Sequence, residues 1–269
     1  MLEEAVGILA EGAARGRVPA ILAGGTDHFP ARLGPPRGED ILDITAIGAL
    51  SGIAEDEGGW RIGATTTWSA LAEARLPPLF DGLKAAARAV GGRQVQNRAT
   101  IAGNLCNASP AADGVPPLLA LDAEVELAGP QGLRRLPVAG FVLGNRRTAR
   151  AAAEIVTAIL VPRAAGRGGF VKLGARAYLV ISIAMVAGTL ELEGRLIRRA
   201  RLAVGACSAA ARRLPGLEAA LAGQPVDRLV IDPGHFAALE PIDDIRADAA
   251  YRREAAVEAT RRLLAGLAP

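Results

Sequence analysis

Gln94 to Asp113, QVQNRATIAGNLCNASPAAD, sets Thr100, Asn104, Asn107 and Ser109 around Ala102-Gly103, with Arg98 and Asp113 as its only charges. Side-chain amides and hydroxyls beside small residues suit a ligand that the backbone approaches closely, because main-chain N–H groups can then meet an anion directly. Asp113 precedes an apolar helical run, VPPLLALDA, where its carboxylate can cap the helix or accept from a sugar hydroxyl. A second stretch, Ala20 to Pro30, is AILAGGTDHFP, a short strand running into Gly24-Gly25-Thr26-Asp27. A lone Gly-Gly after a strand is most often a tight turn. Two turns with polar rims point instead to one ligand held from two sides, and their composition suits a diphosphate-containing nucleotide. Neither is G-x-G-x-x-G, and G-x-x-x-x-G-K-[ST] is missing, which disfavours the usual dinucleotide fold and the P-loop.

Motifs of self-contained catalysis are missing: there is no H-E-x-x-H, G-x-S-x-G or C-x-x-C, and His28 and His235 are the only histidines. The two isolated thiols, Cys106 and Cys207, make an iron–sulfur cluster on this chain alone unexpected. Together with a start lacking a secretory signal they favour a reducing, cytoplasmic setting. At 269 residues, 51% hydrophobic and net charge +3, the chain reads as globular, able to bury roughly 70–75% of its unfolded surface without a metal or disulfide. The pI near 9.3 is an arginine effect, since Lys84 and Lys172 are the only lysines. The arginines are scattered and aromatic residues few, so nucleic acid is not implied. The longest run free of charge and proline, Ala177 to Leu190, falls short of the roughly 18 apolar residues of a membrane span.

These segments need elements to position them. Leu2 to Arg15 has helical spacing and ends at Gly16. Ile21 to Ala23 reads as a buried strand, with further strands at Asp40–Ile44 and Trp60–Ala64. Thr65-Thr66-Thr67 supplies an N-cap for a helix from Trp68 to Ala74. Leu83 to Val90 is an alanine-rich helix closed by Gly91-Gly92. Strands follow at Glu124–Ala128 and Glu154–Val161, the latter ended by Pro162. Arg163 to Gly169 reads as an interdomain linker. Beyond it, Ile183–Glu193 and Leu196–Ala206 make a hairpin through Glu193-Gly194-Arg195. Pro215–Leu221 and Arg246–Leu267 are helices.

LAGGTD, IGATTTWSAL, NRATIAGNLCNASPAADGVPPLLAL, KLGARAYLVISIAMVA and DIRADAAYRREAA occur in that order. Together they resemble the successive motifs of the FAD-binding medium subunit of molybdenum hydroxylases, the carbon monoxide dehydrogenase and xanthine dehydrogenase family. The resemblance implies an α+β fold. A p-cresol methylhydroxylase-type FAD-binding domain of two α/β subdomains, residues 1–165, is followed by a smaller C-terminal α+β domain, residues 170–269, with an antiparallel sheet and helices. It also implies noncovalent FAD. The matching cofactor-binding positions are Leu22, Ala23, Gly24, Gly25, Thr26, Asp27 and His28 in the first turn, and Thr100, Ile101, Ala102, Gly103 and Asn104 in the second. Ser109 and Asp113 match further polar positions, Val90 and Val156 apolar ones, and Lys172 a position against the flavin or its ribityl chain. The implied role is electron transfer from 2Fe-2S centres on a small partner subunit to an external acceptor. The molybdenum cofactor would sit on a large subunit, in a dimer of heterotrimers.

Two departures stand out: Ala102 replaces the first glycine of T-I-G-G-N, and His28 replaces an aliphatic residue, where its protonation would bear on the flavin's potential. Family members usually begin with a further segment before the first helix. Lys172 has an ordinary reading as a solvated strand lysine, and His28 as a surface residue. Two other functions fit the residues less well. One is a stand-alone FAD oxidase or reductase, for which Cys106 is the candidate covalent link, and the other is a flavin-free scaffold.

Overall fold

The computed structural model describes residues 1–31 and 38–268. It opens with α1 (Leu2–Ala14), which buries Ala5 and Leu9 against a small cluster containing Ile44 and Leu50. β1 (Ala20–Leu22) pairs in parallel with β2 (Ile41–Asp43). Expected as buried, β1 is half-buried, because Ile21 and Leu22 face a cavity.

A hairpin of β3 (Ile53–Asp56) and β4 (Gly59–Gly63) follows. Next come α2 (Trp68–Glu73), α3 (Asp81–Ala89), α4 (Arg93–Gln96), α5 (Ile101–Asn107) and α6 (Val115–Ala120). β5 (Glu124–Gly129) and β6 (Gly132–Pro137) form a second hairpin. The short α7 (Val138–Phe141) leads into a small hairpin of β7 (Val142–Gly144) and β8 (Arg147–Thr148). β9 (Ile155–Pro162) then takes the centre of a five-stranded antiparallel sheet ordered β3-β4-β9-β5-β6. Its buried residues join Trp68, Phe80, Ile101, Leu105 and Leu118 in the largest core.

β10 (Arg167–Leu173), β11 (Ala184–Glu193), β12 (Leu196–Gly205) and β13 (Arg212–Arg213) make a four-stranded antiparallel sheet in that order. α8 (Pro215–Leu221) and α9 (Ala249–Leu267) complete a second core around Leu202, Leu217, Phe236 and Leu263. The architecture is therefore α+β, with the antiparallel C-terminal sheet expected. No helix among the described residues is long and apolar enough to cross a membrane.

One expectation is corrected. Gly168 and Gly169 belong to β10 rather than to a linker. A Cβ at Gly82 of α3 would stand 2.6 Å from the Gly169 carbonyl oxygen, and one at Gly168 would overlap the Leu79 carbonyl. These glycines let a helix of the first unit lie backbone to backbone on the first strand of the second. Only residues 163–166 remain as connector.

Candidate functional site

The chain from Ala64 to Trp68 is laced to Ala99–Ala102. Thr67 and Thr100 form an isolated antiparallel bridge, and Trp68 N–H donates to Ala99 O, Ile101 N–H to Thr66 O, and Ala102 N–H to Ala64 O. Thr67 Oγ1 caps α2 by accepting from Ala70 N–H. Thr100 Oγ1 caps α5 by accepting from Gly103 N–H at 3.1 Å. This lacing overturns part of the sequence reading. Gln94–Asp113 holds two helices, and the Ala102 and Gly103 amides are already engaged rather than presented to an anion. Gly103 is required because a Cβ there would crowd the capping Thr100 hydroxyl at 2.8 Å.

The first turn differs. Gly25 has φ +71°, the left-handed region that glycine enters without strain. A Cβ at Gly24 would come within 2.6 Å of the Arg98 carbonyl carbon, so the turn lies directly on the central motif. Among the described residues, the Gly24, Gly25, Thr26 and Asp27 amides have no acceptor.

Both segments line one cavity of about 490 Å³, within the range of small-molecule sites. Leu22, Ala23, Gly24, Gly25, Thr26, Asp27, His28, Val90, Thr100, Ala102, Gly103, Asn104 and Val156 are in its wall; Ile101, Ser109, Asp113 and Lys172 are not. Asn107, one of the polar residues the sequence sets around Ala102-Gly103, also lines it, whereas sequence reasoning missed Trp68, Val95, Arg146, Arg150 and Ile155. Arg146 sits at the β7–β8 turn, where Arg146 Nη2 pairs with Asp27 Oδ2 at 3.1 Å. Arg150 is anchored by donating from Nη1 to the Glu154 carbonyl at 2.7 Å. The two arginines were invisible because the hairpin that holds Arg146 in its turn and ends just before Arg150 is too short to register as strand.

Asp113 does not cap α6, whose N-cap is Gly114. Its buried carboxylate accepts from Lys172 Nζ at 2.6 Å and Ser182 Oγ at 2.6 Å. Burial raises its pKa against the opposing pull of Lys172 and Ser182. Lys172 also donates to the Ala89 carbonyl at 3.3 Å, so the ion pair ties the second sheet to the residue preceding cavity-lining Val90. Lys172 is thus no solvated strand lysine. His28 packs edge-on to Phe29, ring centres 5.1 Å apart. Cys106 lies in the wall, and burial pushes its thiol up to about 11, outweighing the nearby Arg150 guanidinium.

Comparison with known proteins gives a consistent result. Residues 1–164 match the family model described as the FAD binding domain in molybdopterin dehydrogenase. Residues 170–267 match the CO dehydrogenase flavoprotein C-terminal domain. The carbon monoxide dehydrogenase medium chain of Hydrogenophaga pseudoflava is 31% identical over 97% of this chain and 92% of its own length. The xanthine dehydrogenase FAD-binding subunit of Escherichia coli O157:H7 is 36% identical over 53% of this chain and 50% of its own. Among solved structures, carbon monoxide dehydrogenase from H. pseudoflava superposes with a TM-score of 0.87 at 30% identity, over 98% of this chain and 93% of that one.

Proposed function

Because the chain belongs to the family of FAD-binding medium subunits of molybdenum hydroxylases, we propose that it is the electron-transfer flavoprotein of a multi-subunit oxidoreductase. It takes electrons from the 2Fe-2S centres of a small partner and delivers them to an external acceptor, while a large partner bearing the molybdenum cofactor hydroxylates the substrate. The proposed assembly is a dimer of heterotrimers in the cytoplasm. The observation that carries this reading is the convergence of the Gly24–Asp27 turn and the Thr100–Asn104 segment on one cavity.

The residues present suit FAD. Amides at Gly24–Asp27 that have no acceptor among the described residues match a diphosphate, and Arg146 and Arg150 offset its charge. Val90, Val95, Ile155 and Val156 give an apolar wall for a ring. FAD, when bound, supplies one- and two-electron transfer; the chain binds and orients it. In this reading Lys172 and Asp113 hold the Ala89–Val90 backbone against the ring.

A stand-alone oxidase with flavin linked through Cys106 is less well supported, because a thiol with so high a pKa supplies little thiolate near neutrality. Affinity purification of the chain from its host, with analysis for FAD, iron and molybdenum, tests the proposal. All three, with a large and a small companion, are expected. FAD on a solitary chain that turns over substrate would overturn it.

A further inference from the structure

Arg252 of α9 is 2% exposed and lies in the second unit, outside the cavity wall. Its Nη1 donates to the Ile183 carbonyl at 2.5 Å and the Ala206 carbonyl at 3.3 Å, and its Nη2 to Asp244 Oδ1 at 2.6 Å. Each carbonyl adjoins a contact to the central motif. Ser182, the residue before Ile183, donates its hydroxyl to Asp113, and the Ala206 N–H donates to Pro110 O at 2.9 Å. One guanidinium therefore stands behind two of the hydrogen bonds by which the second unit grips Pro110–Asp113. That segment leads on to the cavity from both ends. Asp113 binds Lys172, which donates to Ala89 O beside wall residue Val90, and Pro110 lies just past wall residue Asn107.

Two observations set this arrangement apart from core packing. A buried ion pair is a poor source of stability, because desolvation offsets its attraction and apolar replacements are often neutral or better; here the Arg252 Nε–H is also buried without a partner among the described residues. Ala206 has φ +61°, a left-handed conformation that costs a non-glycine residue energy and persists where surrounding contacts over-determine it. Those contacts are Pro110 O on its N–H and Arg252 on its carbonyl. We propose that Arg252 is a positioning residue for the cofactor. Its planar fork fixes Ser182 and Ala206, so that Pro110–Asp113 and, through Lys172, the Val90 wall hold FAD in one orientation. The proposal rests on the cavity being the FAD site.

The test uses the full chain. Arg252→Lys keeps a charge facing Asp244 but loses the fork, and is compared with Leu217→Ala, a large-to-small change in the same core outside these hydrogen bonds. Arg252→Lys should bind FAD about tenfold more weakly, within the range of residues that act through a contact network, and alter the visible circular dichroism of the bound flavin. Leu217→Ala should melt lower yet keep wild-type affinity and dichroism. Combined with Ser182→Ala, Arg252→Lys should weaken binding by less than the product of the two separate factors. Asp244→Asn, which releases Nη2 and leaves Arg252 in the chain, is a milder second variant and should weaken FAD binding in the same direction. Wild-type affinity in folded Arg252→Lys or in Asp244→Asn, an equal loss in Leu217→Ala, or factors that multiply in full overturns the proposal alone. Wild-type protein that binds no FAD overturns the site reading with it.

Discussion

Gly24→Ala isolates the physics of the first turn. The new Cβ would stand 2.6 Å from the Arg98 carbonyl carbon and 2.9 Å from Ala99 Cα, and would overlap the Arg98 oxygen. Reaching an ordinary contact of 3.4 Å requires the turn or the Arg98–Ala99 segment to retreat by well over an ångström from the overlapping oxygen, and both sides are backbone. Overpacking of this kind costs about 1–3 kcal/mol, and without a flexible side chain to absorb it the upper end applies. At about 2–4 °C per kcal/mol for a chain of this size, the apoprotein should melt roughly 6–12 °C lower. The same shift misaligns amides that would face a diphosphate. Losing one hydrogen bond to a charged group, about 1.5–3 kcal/mol, weakens FAD binding roughly 10- to 100-fold. Scanning calorimetry of the apoprotein and fluorescence titration with FAD measure the two effects. Gly7→Ala on exposed α1, where a Cβ meets nothing within 4 Å, is the control and should be neutral or stabilising by up to about 1 kcal/mol. Wild-type melting in Gly24→Ala would refute the packing argument; lowered melting with wild-type FAD affinity would refute the role given to the amides.

Two further outcomes concern charge. Asp113→Asn leaves the Lys172 ammonium, 15% exposed, without its counter-charge and should cost about 3–5 kcal/mol in urea unfolding, whereas the double variant Asp113→Leu/Lys172→Met should recover most of it; equal losses in both would refute a paired role. Asp244 is held down to about 2, first by the Arg246 backbone N–H and then by the Arg252 guanidinium. A carboxylate depressed in the folded state contributes stability that is complete above its unfolded pKa near 4 and lost as pH falls toward 2. Asp244→Asn should therefore flatten the acid limb of the stability curve between those values, and an unchanged slope would show that other groups set it.

The large elements were legible because their signals are local. The hydrophobic spacing of α1, the proline that starts α8 and the hairpin between β11 and β12 need no tertiary information, and their observed bounds lie within a few residues of the expected ones. The motif resemblance brought the two glycine segments into one hypothesis, and the fold sets them on one cavity. Hydrogen-bond direction was illegible. Nothing in TIAGN says that the Ile101 and Ala102 amides are taken up while, among the described residues, the amides of GGTD find no acceptor, because the acceptors, Thr66 and Ala64, lie on another segment. Asp113 was misassigned for a related reason. Its partners, Lys172 and Ser182, are distant in sequence, so the nearby helix start looked like the better use of a carboxylate.

The glycine seam between α3 and β10 also bears on how such a chain can be recombined. Where side chains separate two units, a graft from a relative can settle by rotamer changes. Here Gly82 and Gly168 bring main chains together, leaving no adjustable layer. A chimera exchanging only the part before residue 163 or only the part after it must carry matching glycines on both sides, or the halves will stand apart. The seam thus makes residues far apart in the chain a single inherited unit.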